Sequence, residues 1–120
     1  MGSYSTSELK KKVDEEIQKL STNNQCRTKE EFDEILDKRH YPNKYKKDLE
    51  NNAEALEYYH VQKKKAIQMF EYKLENERIQ FELRESRMTN YEQREKLMEI
   101  ISQNNKKIEE LEAKNYYELN

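Results

Sequence analysis

Glycine occurs once in this chain (Gly2), proline once (Pro42), cysteine once (Cys26) and tryptophan not at all. Turns of sheets and of α/β enzymes draw on glycine's positive φ or proline's fixed φ, and no residue after Pro42 is of either type. Sheet-rich folds are therefore excluded. No apolar run exceeds two residues, as at Met69-Phe70 and Ile100-Ile101, so the roughly 20-residue span of a membrane helix is missing. The chain is expected to be soluble and cytoplasmic, since its start lacks the apolar stretch of a secretory signal and Lys10-Lys11-Lys12 runs straight into Asp14, Glu15 and Glu16. A lone Cys26 can form neither an internal disulfide nor a zinc site, and reads as an incidental thiol. Leu, Ile, Val and Phe number only 22 of 120 residues, close to the level at which a packed core fails.

What is present is charge and helix-forming composition. Charged residues make up 40% of the chain, yet 23 basic and 25 acidic side chains nearly cancel, leaving a net −2. Disorder driven by composition needs a large net charge, and that condition is unmet. Ala, Glu, Lys, Leu and Arg supply 58 residues, the mark of long helices when an apolar period near 3.5 to 3.6 accompanies them.

The period is there. Ser5 followed by Glu8 is a capping box opening a helix with Leu9, Val13, Ile17 and Leu20 on one face. Ser21 to Gln25 reads as a polar break. Thr28 followed by Glu31 is a second capping box, with Phe32, Ile35 and Leu36 as the next apolar stripe, and Pro42 ends that helix. From Asn43 to Ala113 the sequence predicts one uninterrupted helix roughly 100 Å long. Stepping alternately four and three residues from Leu49 gives Ala53, Leu56, His60, Lys63, Ile67, Phe70, Leu74, Glu77, Phe81, Arg84, Met88 and Tyr91, a coiled-coil-like seam. Near residue 94 the phase slips, and Leu97, Ile101, Asn104, Ile108 and Leu111 continue one residue out of register. The expectation is an extended all-α chain without a globular core: an N-terminal tail with two short helices over 1–42, a long helix over 43–115 and a short tail over 116–120.

His60, Lys63, Glu77 and Arg84 interrupt the seam, which disfavours a stable homodimeric zipper and suits a helix lying on a surface supplied by other chains. Leu56, Ile67, Phe70, Leu74, Phe81, Met88 and Tyr91 are the expected anchors there, with Glu77 and Arg84 setting register. Paired carboxylates on a solvated helix lack the burial that tunes acid–base catalysis, and His40 and His60 have no partner at ligand spacing. Neither catalysis, a metal nor a cofactor is expected. Residues 48–99 carry 9 basic and 12 acidic side chains, which argues against nucleic acid. The nine tyrosines suit contact surfaces, although an A/T-rich coding sequence would also enrich them.

Arg39-His40-Tyr41-Pro42 before a long helix, then Lys65-Ala66-Ile67, Met69-Phe70-Glu71, Glu75, Glu77 and Phe81-Glu82-Leu83, resembles the short helical microtubule inner proteins of ciliary doublets. That resemblance implies a non-enzymatic staple in the axoneme with tubulin as partner. Two alternatives stay open: a membrane-tethered adaptor, because Met1-Gly2-Ser3-Tyr4-Ser5-Thr6 fits the N-myristoylation pattern at Gly2, and an accessory subunit of a large mitochondrial or cytoplasmic complex.

Overall fold

The computed structural model of the protein describes residues 4–23, 25–40, 45–85 and 90–114. Of these, 89% are helical and none is in a strand. Five helices follow in order: α1 (Thr6–Asn23), α2 (Lys29–His40), α3 (Lys46–Glu50), α4 (Ala53–Glu85) and α5 (Tyr91–Ala113). Both anticipated N-terminal caps are made. Ser5 Oγ accepts from the Glu8 backbone N–H at 3.2 Å and donates to its carboxylate at 3.1 Å. Thr28 Oγ1 accepts from the Glu31 N–H, while Glu31 Oε2 reaches back to the Arg27 N–H at 2.9 Å.

The single helix over 43–115 is not formed, and this corrects the sequence reading. Two asparagines divide it. Asn52 Oδ1 accepts from the Ala55 N–H at 3.1 Å and so opens α4, while its amide donates to Thr6 Oγ1 and ties the start of α4 to the start of α1. Asn90, in extended backbone, accepts from the N–H groups of Glu92 and Gln93 and opens α5. An asparagine side chain satisfies the free N–H groups of a first turn as well as a proline or glycine breaks the previous one.

The chain accordingly folds back on itself. Contacts of α1 with α4 advance together, from Lys10–Glu54 to Asp14–Tyr58 and Asp14–Gln62, so the two helices run parallel. Those of α2 run the opposite way: Asp37 meets Tyr59, Phe32 meets Phe70 and Lys29 meets Glu71. Helices α1, α2 and the first half of α4 form an up-down-up bundle. Helix α5 is antiparallel to the second half of α4, with Asn104 beside Asn76 and Lys114 beside Lys65. The molecule measures 64 × 27 × 16 Å. It is elongated, but it is not a 100 Å rod.

A core does exist, contrary to the expectation from composition. Leu9, Val13, Phe32, Leu36, Leu49 and Tyr59 are almost wholly buried in one cluster, with the rings of Phe32 and Phe70 stacked at 4.7 Å. Fully burying a side chain such as Phe32 contributes on the order of 1.5–3 kcal/mol. Few apolar residues suffice because the bundle is short and each helix offers one stripe.

Candidate interaction surface

The seam read along the sequence is turned by about one residue from the face that α4 buries. Ala55, Tyr59 and Ala66 are the buried positions against the bundle, and Asn76 and Ile79 those against α5. Each precedes or follows an anticipated seam member by one or two residues, a rotation of about 100° per residue on a helix. The anticipated anchors divide accordingly. Leu56, Ile67 and Phe70 are half-buried against the edge of the core. Leu74 is half-buried, Glu77 and Arg84 are exposed, and Phe81 and Tyr91 stand 59% and 73% exposed. Met88 and Gly2 lie outside the described residues. In α5, Asn104 and Ile108 are buried and Leu97, Ile101 and Leu111 half-buried, and Asn104 meets Asn76 of α4.

The polar groups inside the molecule are explained by packing. Lys63 Nζ bridges Asp33 and Asp37 of α2, and the Tyr59 hydroxyl donates to Asp37 at 2.8 Å. Burial works against the Asp37 charge, but the bonds from Lys63 and Tyr59 outweigh it and hold this carboxyl below its usual range. The same partners outweigh burial at Lys63 and raise its ammonium. Tyr58, half-buried and donating to Asp14 at 2.6 Å, has its hydroxyl pushed well up by that partial burial and by the Asp14 carboxylate. Burial, reinforced by the charge of Glu31, raises the Cys26 thiol, which makes it a poor nucleophile. His60 is exposed, and among the described residues no three His, Cys, Asp or Glu side chains gather as a metal site. Among the described residues no helix is long and apolar enough to cross a membrane.

Open grooves line the helices, among them three that run over apolar side chains of α4. One of about 490 Å³ lies among α1, α2 and α4 over Ile17, Phe32, Ala66 and Phe70. Another, of about 400 Å³, follows the start of α4 past Leu56, His60 and Val61. The third, of about 570 Å³, lies in the second half of α4 between Leu74 and Phe81 and is rimmed by Arg27, Arg78 and Arg84. Its location follows from the helical period. Lys63 and Phe70 face α2, through Asp37 and Phe32, and one and two heptads beyond Phe70 lie Glu77 and Arg84 on the same face, with Leu74 and Phe81 beside them. Helix α2 begins at Lys29, opposite Glu71, so that face of α4 continues past the end of the bundle without a covering helix among the described residues.

Sequence reasoning named Leu74, Glu77, Phe81 and Arg84 of this groove and missed Arg27 and Arg78. Arg27 was beyond reach, because its approach to α4 depends on the antiparallel packing of α2. Comparison with protein-family models, with curated proteins and with solved structures finds no match to this chain.

Proposed function

We propose that this chain is a non-enzymatic binding module, an elongated helical clip that docks on a larger protein assembly through the uncovered face of α4. The observation that carries the reading is the stripe of Leu74 and Phe81 where the bundle stops and the helix goes on. Phe81 is 59% exposed beside the half-buried Leu74, and a large apolar side chain so exposed is where a partner's apolar surface gains from contact.

The resemblance of the Arg39-to-Leu83 segment to microtubule inner proteins directs the assembly toward ciliary doublet microtubules, with tubulin as the partner. Co-sedimentation of the full chain with purified doublets tests this directly, beside a Leu74→Ser/Phe81→Ser variant whose helicity is checked by circular dichroism. The wild type is expected to pellet saturably and the variant to lose about tenfold in affinity or more, as for an anchor pair at an interface centre. A wild type that stays in the supernatant removes tubulin as partner. A variant that pellets as well as the wild type removes this face of α4 as the docking surface.

A further inference from the structure

The groove over Leu74 and Phe81 differs from the other two in its cations. Four arginine side chains are described, and three of them (Arg27, Arg78 and Arg84) converge here. All ion pairs among the described residues use lysine instead. Arg84 has Gln80 and Phe81, not a carboxylate, four and three residues before it on α4. Glu75 and Glu82 both stand at pairing spacing from Arg78; Glu75 is turned to α5, where its Oε1 accepts from the Asn104 amide at 2.6 Å. Glu31, four residues after Arg27, spends its carboxylate on the Arg27 backbone N–H. The groove lining thus carries three guanidinium groups against one carboxylate, Glu77, around two apolar side chains.

We infer that this groove receives an acidic amphipathic helical segment of a partner protein, a stripe of aliphatic or aromatic residues flanked by Asp or Glu, laid where a further helix of the bundle would lie. The inference rests on the docking reading above and specifies the partner's chemistry. Arginine suits the task because its planar fork takes a carboxylate through two parallel bonds while its weak hydration lets it be covered. Leu74 and Phe81, two turns apart on α4, fix the apolar contact between those charges. Glu77 lies in the same lining. One carboxylate among three arginines is compatible with a peptide whose charges are spaced, but it repels a continuous phosphate backbone, and the chain's net charge of −2 does the same at longer range.

The experiment uses the full chain and a fluorescent helical peptide of about four turns, with Leu and Phe at i, i+4 and i+7 and Glu elsewhere. Fluorescence anisotropy should show saturable binding that weakens as salt is raised. Arg78→Glu/Arg84→Glu and, separately, Phe81→Ser should each weaken it about tenfold or more. All three sites are exposed, and circular dichroism is the check that the variants keep their helices. The peptide with Lys in place of each Glu should not bind the wild type and should gain affinity for the arginine-reversed variant. The inference is overturned if polyglutamate binds as well as the amphipathic peptide, if a single-stranded oligonucleotide or an anionic vesicle binds more tightly, or if the variants bind like the wild type. Doublet binding that still depends on Leu74 and Phe81 after such a result would leave the docking reading standing and remove only the acidic partner.

Discussion

Asn104→Ala offers the sharpest test of how the α4–α5 hairpin is held. Asn104 is 5% exposed and Asn76 8%, both in the middle of an otherwise aliphatic contact. The Asn104 amide donates to Asn76 Oδ1 at 3.0 Å and to Glu75 Oε1 at 2.6 Å, and the Asn76 amide donates in turn to Asn105 Oδ1 at 3.0 Å. Truncation at 104 removes two bonds and strands the buried Asn76 carbonyl. Glu75 is exposed, so its charged bond counts at the low end, about 1.5 kcal/mol, and the neutral bond adds about 1. The expected loss is about 2.5 kcal/mol, a large share of the stability of a small domain. With a urea slope of about 2 kcal/mol/M the midpoint should fall by about 1.2 M. Asn76→Leu/Asn104→Leu removes donors and acceptors together and adds apolar area, so it should equal or exceed the wild type in stability while losing the polar match that fixes how the helices align. Equilibrium urea unfolding followed at 222 nm measures all three. A midpoint shift below about 0.3 M for Asn104→Ala, or a double leucine variant as unstable as the alanine one, would refute the claim that satisfied polar pairing governs this contact.

Three further outcomes follow from the same geometry. Phe32→Ala empties the most central position of the bundle, at 0% exposure and stacked on Phe70, and should cost about 3–5 kcal/mol by thermal or urea unfolding, whereas Phe81→Ala, 59% exposed, should cost under about 0.5. Asn90→Ala removes the cap of α5 and should lower stability by about 1 kcal/mol, with amide exchange accelerated first at Glu92 and Gln93. Asp37 has its carboxyl held below the ordinary 3.8 by Lys63 and Tyr59. A group whose folded pKa is depressed stabilises above its unfolded value and loses that contribution as pH falls through the folded one. Unfolding from about pH 6 to 2 should therefore show an acid limb below about pH 4 that is shallower in Asp37→Asn, and an unchanged limb would assign acid sensitivity to other carboxylates.

The helices that begin with Ser5 and Thr28 could be read from sequence because a capping box and the stripe behind it lie within one local window. The seam of α5 was legible for a related reason: Leu97, Ile101, Ile108 and Leu111 have no competing apolar neighbours except Met98 and Ile100. The breaks at Asn52 and Asn90 were not read, since a search for glycine and proline passes over an asparagine whose role depends on its own side-chain carbonyl. Asn90 is followed three residues later by Gln93, and that pairing is the signal that could have divided the long helix.

The rotation of the α4 seam has a different origin. Counting apolar residues favours the line through Leu56, Ile67 and Phe70, whereas the face actually buried runs through Ala55, Tyr59 and Ala66. A small residue on a three-helix bundle axis lets neighbouring helices approach, and large ones then close the sides from the flanks, as Leu56, Ile67 and Phe70 do. Tyr59 can occupy the axis only because Asp37 of α2 accepts its hydroxyl, a partner 22 residues earlier in the chain. No window along α4 contains that fact. The same displacement is what leaves Leu74 and Phe81 on the side of α4 turned from α5 once the bundle ends. The groove with its three arginines is therefore a consequence of how α4 is seated, and a substitution that reseated α4 by one residue, such as Ala55→Leu with Leu56→Ala, should weaken peptide binding at Phe81 without altering any residue of the groove.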